Sequence, residues 1–296
     1  MFCIAGADGF FGAYLTKMLL ASGEEVLALY HRAPVFPDGE KLTNLPFELT
    51  DGSRTDALCE RLKKYPDVKL VYLIACHDPD KVKSDPAFAS FVNHDCYERF
   101  LSSVHNAGVR RLFYASSDTV YGENPGGVPF TEASVPSPVN LYGEHKRKAE
   151  ELTLAYGYSA ARFPYMYAPS LCGKKHFFDS LTMKLRNGEK IEMFSDYVRS
   201  SVTYPTAAEL LYRLMNTETE ERIFNICADE PTSKYDIGLT AARLCGADTS
   251  LVVPVSMDGA GVFTERRAKT VIMSNALLKS VLGLRTAIPS DEGLTN

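Results

Sequence analysis

The stretch Gly6 Ala7 Asp8 Gly9 Phe10 Phe11 Gly12 follows directly on the apolar run Phe2 Cys3 Ile4 Ala5 and leads into an amphipathic segment. The apolar run predicts a buried strand and the segment predicts a helix, so the glycines occupy the turn between them. Such a turn offers backbone N–H groups and the positive end of a helix dipole to a phosphate, and glycine allows close approach. The stretch therefore predicts a pyrophosphate site, with contacts from Gly6, Asp8, Gly9, Phe10, Phe11 and Gly12.

Apolar runs and amphipathic segments alternate along the first half of the chain. Strands are predicted near residues 2–5, 26–30, 69–75, 111–116 and 159–163, with a further strand ahead of Asp51. Helices are predicted near residues 10–22, 54–64, 88–107 and 140–157. This alternation is typical of repeated βα units. The fold class expected is α/β, a doubly wound parallel Rossmann sheet with helices on both faces.

Beyond Pro169 the alternation weakens. Helices are predicted near residues 177–187, 234–245 and 274–282, and an apolar run at residues 223–227 predicts a strand that returns to the sheet. We therefore expect residues 1–165 to form an NAD(P)-binding domain that also receives the strand near 222–228. Residues 166–296 are expected to form mainly a smaller, interleaved substrate-binding lobe.

Composition excludes several classes of protein. The chain has 296 residues, 45% of them hydrophobic and 23% charged, and none of its apolar runs is long enough to span a bilayer. Since the first strand begins at Phe2, no signal peptide is expected and a cytoplasmic location is. A net charge of -5 without a basic cluster argues against binding to nucleic acid. Neither the seven cysteines nor the six histidines show metal-ligand spacing, so no metal site is expected.

The end of the second predicted strand bears on the choice of cofactor. NAD enzymes usually carry an acid there, whereas this chain has His31 and Arg32. A guanidinium suits a 2′-phosphate, so NADP(H) is favoured over NAD(H), with Arg32 as the main contact and His31 beside it. Asp51 has two interpretations, a contact to the adenine amino group or a helix N-cap. Ala75, at the end of the strand near 69–75, is expected to contact the cofactor as well.

Tyr142 and Lys146 are four residues apart on one face of a predicted helix. A neighbouring cation favours the phenolate, so the pair predicts a tyrosine of lowered pKa that exchanges a proton with a substrate oxygen. Tyr65 and Lys69 have the same spacing, but Pro66 breaks any helix between them, and that match is interpreted as structural.

Upstream of this pair, the run Ser116 Ser117 Asp118 Thr119 Val120 Tyr121 Gly122 ends a predicted strand. With the glycine turn and Tyr142/Lys146, it resembles the extended short-chain dehydrogenase/reductase family, which includes nucleotide-sugar epimerases, dehydratases and 4-keto reductases. The resemblance implies that Ser117, Tyr142 and Lys146 are catalytic, with Ser117 orienting the substrate oxygen. Asp118 and Thr119 occupy the places of an acid pair in family dehydratases; since only one is an acid, reduction or epimerisation is favoured over dehydration. Asn93 matches a family asparagine and is interpreted as a buried structural group.

The substrate site is expected to involve Tyr165, Lys175, His176, Arg199 and Arg266. The resemblance places Lys174, Lys175 and His176 at the start of the second lobe, and Arg199 and Arg266 where family members bind a diphosphate. Tyr165 replaces an asparagine that commonly contacts that diphosphate, which weakens the nucleotide-sugar assignment. Each of the cations has a surface charge as its alternative interpretation.

Three hypotheses for function remain open on the sequence. The leading one is an NADP-dependent reductase or epimerase of a nucleotide-sugar. The second keeps the hydride chemistry but has an uncharged aldehyde or ketone as substrate. The third is a non-catalytic protein that senses a dinucleotide, which the presence of Ser117, Tyr142 and Lys146 disfavours. A homodimer paired through the helices near 88–107 and 140–157 is family precedent.

Overall fold

The computed structural model describes residues 1–124 and 126–294. The strands, in chain order, are β1 (Phe2–Ala5), β2 (Val26–Tyr30), β3 (Leu42–Pro46), β4 (Lys69–Tyr72), β5 (Arg111–Ser117), β6 (Ser159–Phe163), β7 (Met166–Tyr167), β8 (Ile191–Phe194), β9 (Val198–Arg199), β10 (Val202–Thr203), β11 (Ile223–Asn225), β12 (Thr232–Ser233), β13 (Val252–Val255) and β14 (Thr270–Val271). The α-helices are α1 (Phe10–Ala21), α2 (Gly52–Leu62), α3 (Pro79–Ser84), α4 (Pro86–Ser90), α5 (Cys96–Asn106), α6 (Leu141–Ala155), α7 (Phe177–Arg186), α8 (Tyr204–Met215), α9 (Lys234–Cys245) and α10 (Ala276–Leu282).

Within these residues, the main sheet is parallel and has the order β11-β6-β5-β4-β1-β2-β3. The order reverses at β1, so the carboxyl ends of β1 and β4 open a crevice at one edge of the sheet. The central strands are buried on both faces because helices cover both, and this explains their continuous apolar sequence. The predicted doubly wound Rossmann fold is confirmed.

The predicted strands at residues 2–5, 26–30 and 159–163 have the observed bounds. β4 is shorter than predicted and ends at Tyr72. The long helix predicted over residues 88–107 is divided into α4, a π-helical turn at Phe91–Asp95 and α5. Asn93 lies in that turn, where its amide exchanges two hydrogen bonds with the backbone of Cys76, so the turn binds the chain just beyond β4.

Helix α8 is absent from the sequence-based prediction. Its apolar face packs against α1 and is buried in the same cluster as Leu15 and Leu19. Thr203 caps it and Pro205 stands in its first turn, both ordinary signals of a helix start. With β11, this helix returns to the sheet from the second half of the chain, as the predicted interleaving requires. A division at residue 165 stays a prediction.

A second group of elements in this half packs around α7 and α9, whereas α10 packs against α8 and β11. Helices α7 and α9 enclose Phe178, Leu181 and Ile237 together with the β8 and β13 pair. A small sheet of β12, β9 and β14 links them to Arg199 at the edge of the crevice. Among the helices that the structure describes, none is long and apolar enough to cross a membrane.

Candidate active site

The turn between β1 and α1 is built for close approach. Gly6 has a φ of +93°, a backbone conformation that residues with a Cβ rarely adopt. At Gly12, an added Cβ would lie 2.3 Å from the carbonyl oxygen of Gly6. In the part of the chain that the structure describes, no side chain caps the first turn of α1, which begins after Gly9. The free N–H groups of that turn and the helix dipole fit a dinucleotide pyrophosphate.

A cavity of about 640 Å³ joins this turn to the ends of β5 and α6. Its wall includes Gly6, Gly9 and Gly12 on one side and Ser117 and Tyr142 on the other. An adjoining cavity of about 190 Å³ contains Ala75, Ala115 and Lys146 and shares Ser117 and Tyr142 with the larger one. Most of the residues that the sequence predicts for catalysis and for the phosphate turn therefore border one continuous space.

Tyr142 and Lys146 lie on the inner face of α6 and both are buried. Asn140 caps this helix and Gly143 lets it approach β5, because a Cβ there would lie 2.6 Å from the carbonyl oxygen of Thr119. The Lys146 ammonium donates to the carbonyl of Ala115 at 2.6 Å and lies 5.8 Å from the centre of the Tyr142 ring. The ammonium thus lies against β5, nearer to the Tyr114 ring, at 4.6 Å, than to the Tyr142 ring.

The pKa of the Tyr142 phenol is raised by burial and, second, by the carboxylate of Asp118, while the Ser117 hydroxyl lowers it. Burial lowers the pKa of Lys146 to about 7, an effect that Glu150 opposes. The sequence predicts a lowered tyrosine pKa from the adjacent lysine. The groups of the chain itself have the opposite effect, because burial of the phenol and the nearby Asp118 carboxylate raise its pKa.

Ser117 ends β5 and is tied to its neighbours. Its hydroxyl donates to Asp118 Oδ1 at 3.0 Å and accepts the N–H of Thr119 at 3.2 Å. Asp118 is itself buried and pairs with Arg199, whose Nε lies 3.1 Å from Oδ2. Burial raises the pKa of Asp118, and the Arg199 guanidinium opposes that rise. Thr119 Oγ1 is buried at the cavity wall without a partner among the described residues.

The residues predicted for the adenosine end lie near the end of β2. His31 and Arg32 are both exposed, and His31 pairs with Glu48 at 2.9 Å. Asp8 is buried, and its carboxylate accepts the backbone N–H of Arg32 at 3.4 Å. Asp51 is exposed and caps α2 by accepting the N–H of Ser53, which is one of its two interpretations.

Of the residues predicted for substrate, Tyr165, His176 and Arg199 line the large cavity. His176 is also the N-cap of α7 and contacts the Tyr204 hydroxyl, and burial lowers its pKa to about 4. Lys175 and Arg266 are exposed and are not among the lining residues of that cavity.

Sequence analysis missed Arg267 and Lys234. Arg267 lines the cavity in place of its neighbour and pairs with Asp80 at 3.1 Å. The Lys234 amine lies over the ring of Tyr165, with Phe177 and Tyr197 beside it, and burial lowers its pKa. The sequence contains a signal only for Lys234. It directly follows the N-cap Ser233, inside the capping box that Ser233 forms with Asp236 at the start of α9.

A Rossmann sheet with a glycine turn at its crevice, a buried tyrosine and lysine on the facing helix and a serine at the adjacent strand end is the arrangement of an NAD(P)-dependent enzyme. Residues 2–227 match the model of the NAD dependent epimerase/dehydratase family, and the chain belongs to that family.

Relatives differ in their names. The chain is 28% identical to methionine adenosyltransferase 2 subunit beta of Xenopus tropicalis, over 96% of this chain and 83% of that protein. It is 26% identical to dTDP-4-dehydrorhamnose reductase of Mycobacterium tuberculosis, over 86% and 78% of the two chains. Among solved structures, UDP-glucose 4-epimerase of Thermotoga maritima superposes with a TM-score of 0.81 at 20% identity, covering 99% of this chain and 96% of that one. The last likeness concerns the fold.

Proposed function

We propose that the protein is an NADP(H)-dependent oxidoreductase or epimerase that acts on the carbonyl or hydroxyl group of a nucleotide-sugar. The observation that carries this proposal is the single space bordered by the glycine turn, Ser117 and Tyr142. Gly6, Gly9, Gly12 and the first turn of α1 would hold the dinucleotide, with Ala75 and Lys146 near its other end. When bound, the dinucleotide supplies or accepts a hydride.

Tyr142 is the proton donor in this proposal. Its raised pKa keeps the phenol protonated at neutral pH, the form needed to give a proton to a carbonyl oxygen as that oxygen gains negative charge. The same shift makes Tyr142 a poor base for an alcohol in the absence of further cationic charge. The chain's own electrostatics therefore suit Tyr142 to the role of proton donor when a carbonyl is reduced.

Ser117 and Lys146 position the reacting groups. Ser117 is fixed by Asp118 and Thr119, so its oxygen has one defined place beside Tyr142 from which to orient the substrate oxygen. Lys146 is anchored on the Ala115 carbonyl, where its proton donors face the end of β5 and the Tyr142 ring. Asp118 and Thr119 complete the wall of the cavity.

NADP(H) is favoured over NAD(H) by Arg32. Its guanidinium is exposed at the end of β2, where a 2′-phosphate needs a cation. His31 is drawn to Glu48 instead, which leaves Arg32 as the main contact. The nucleotide-sugar substrate is supported by the similarity to dTDP-4-dehydrorhamnose reductase, whose name refers to a dTDP-sugar.

A second candidate substrate is an uncharged aldehyde or ketone. Two observations favour it. The cavity wall is rich in aromatic rings, including Tyr165, Phe177, Tyr197 and Tyr204. In addition, Arg199 already binds Asp118 and several backbone carbonyls, which leaves it little capacity for a diphosphate.

The decisive experiment titrates the purified protein with NADPH and NADH by fluorescence and then follows absorbance of the reduced cofactor with two sets of substrates. Oxidation of NADPH with keto-sugar nucleotides supports the proposal, and oxidation only with simple carbonyls supports the second candidate. Tight cofactor binding with neither NADPH oxidation nor epimerisation of a nucleotide-sugar would favour a dinucleotide sensor. Failure to bind either cofactor would overturn the proposal.

A further inference from the structure

The cations at the wall of the large cavity are not equally available to a ligand. Among the described lining residues, Arg199 is paired with Asp118, and Arg267 is paired with Asp80. His176 is held neutral by burial, which lowers its pKa to about 4. Lys174 is also paired, with the Asp8 carboxylate at 3.4 Å, but its side chain is 41% exposed. Of these four side chains, Lys174 is therefore the most accessible to an anionic ligand in the large cavity.

Lys174 reaches the glycine turn from the other half of the chain. It lies in the loop between β7 and α7, and its ammonium donates to the backbone carbonyl of Asp8 at 2.7 Å. The same ammonium lies 3.4 Å from the Asp8 carboxylate. Asp8 is the third residue of the turn that begins at Gly6. A cation from the second half of the chain therefore already contacts the turn that is predicted to bind phosphate.

We propose that Lys174 binds the pyrophosphate of the dinucleotide and so adds a cation from the second half of the chain to the N–H groups of the first turn of α1. This inference rests on the proposed cofactor site and adds to it a residue outside the glycine turn. Pyrophosphate is the anion favoured, because the Lys174 ammonium contacts the turn itself and borders the same cavity as Gly6, Gly9 and Gly12. A lysine acts there as a point charge with rotatable donors.

Asp8 has a distinct part in this arrangement. A carboxylate within a phosphate turn repels an incoming anion unless a cation accompanies it. Asp8 holds Lys174 near the turn, and the backbone N–H of Arg32 holds Asp8. When pyrophosphate binds, the Lys174 ammonium exchanges an oxygen of Asp8 for a phosphate oxygen at nearly the same place. The lysine side chain is already held there, so binding requires little further ordering of it.

The arrangement also links the cofactor to the substrate wall. The loop that carries Lys174 continues directly into His176 and Phe177, which border the large cavity. A dinucleotide that binds Lys174 therefore fixes the backbone from which those two side chains extend.

The test compares Lys174→Gln with Lys175→Gln, a matched control at the adjacent exposed lysine. Calorimetry measures the binding of ADP, which carries the pyrophosphate, and of adenosine, which does not. We expect Lys174→Gln to weaken ADP binding about 10-fold, with a smaller dependence on salt, and to leave adenosine binding unchanged. Lys175→Gln should match the wild type for both, and Lys174→Arg should retain most of the ADP affinity.

Asp8→Asn provides a further check that does not depend on loss of function. Removal of the carboxylate should tighten ADP binding more in the Lys174→Gln background than in the otherwise wild-type protein, because without Lys174 its repulsion of the phosphates is uncompensated. If the wild type and Lys174→Gln bind ADP equally while NADPH binds the wild type, the role of Lys174 is refuted and the proposed function stands. If the wild type binds neither ADP nor NADPH, both are refuted.

Discussion

Arg199 and Asp118 form a buried ion pair, with Nε and Oδ2 3.1 Å apart, directly beside Ser117. The other guanidinium nitrogens donate to the backbone carbonyls of Val198, Lys269 and Ala268. Asp118 in turn accepts the Ser117 hydroxyl. The arginine therefore compensates a buried carboxylate and, through it, fixes the serine, which is a structural duty rather than contact with a substrate phosphate.

Arg199→Met should destabilise the protein by roughly 3–5 kcal/mol, because it leaves the Asp118 carboxylate buried and unpaired. Urea denaturation measures this loss. The double variant Arg199→Met/Asp118→Asn should recover part of the stability, since the uncompensated charge is gone. A single variant of wild-type stability with a selectively weakened affinity for nucleotide-sugar would instead show that the guanidinium binds a diphosphate.

Tyr142→Phe should reduce turnover by roughly 100-fold or more, because general acid catalysis contributes on that order. Affinity for NADPH should change little, since the phenol and not the ring gives the proton. Steady-state kinetics and a fluorescence titration measure the two quantities. Tyr65→Phe is the matched control, because its Y-x-x-x-K match lies outside the large cavity and should leave turnover intact. Unimpaired turnover by Tyr142→Phe would exclude this residue as the acid.

Arg32→Glu should weaken NADPH roughly 10-fold or more and NADH far less, because only NADPH carries the 2′-phosphate. Parallel titrations with both cofactors measure the ratio. Arg186→Glu makes the same charge change at an exposed position in the last turn of α7 and should affect neither. Equal losses for NADPH and NADH would contradict a contact between Arg32 and the phosphate.

His176→Asn should make stability less sensitive to acid. The folded-state pKa of His176 is lowered to about 4, below the value of about 6.5 in an unfolded chain, so the unfolded state binds more protons between these values. Stability contributed by neutral His176 is thus present above pH 6.5 and is lost as the pH falls toward 4, by about 3 kcal/mol. Asparagine keeps the cap of α7. Denaturation midpoints across this range should converge for variant and wild type as the pH falls, and a constant difference would contradict the shift.

Gly12→Ala should destabilise the protein by about 1–3 kcal/mol and weaken NADPH, because the added Cβ would lie 2.3 Å from the Gly6 carbonyl oxygen and displace the turn. Thermal unfolding and cofactor titration measure the two effects. Gly39→Ala is the control, since its Cβ would have no described atom within 4 Å. Normal affinity of Gly12→Ala for NADPH would show that the turn tolerates the displacement.

The sheet could be predicted because its inner strands have continuously apolar sequences, which are typical of strands buried on both faces. β1, β2 and β6 are apolar runs without interruption, and their bounds follow directly. β3 has the sequence Leu-Thr-Asn-Leu-Pro at the sheet edge, where one side is partly exposed, so apolar periodicity cannot define it. The π-helical turn was not predictable, because it depends on contacts between Asn93 and a distant segment.

The candidate site followed from the sequence where an uninterrupted helix places two side chains on one face, as with Tyr142 and Lys146 and unlike Tyr65 and Lys69. It did not follow where a loop decides which of two neighbours faces inward. Arg266 and Arg267 have the same side chain, and contacts that the sequence does not reveal, among them the pairing of Arg267 with Asp80, hold Arg267 at the cavity. The sign of the Tyr142 pKa shift likewise depends on burial, which one sequence does not reveal.

The return of α8 and β11 to the sheet has a consequence for how this protein can be re-engineered. β11 covers the edge of β6, and α8 covers the apolar face of α1. A chain cut after residue 165 would expose the unpaired edge of β6 and the apolar face of α1, and both would promote aggregation. New specificity is therefore better transplanted loop by loop, at residues 170–176 or 256–267, than by exchanging the whole second half with that of a homologue.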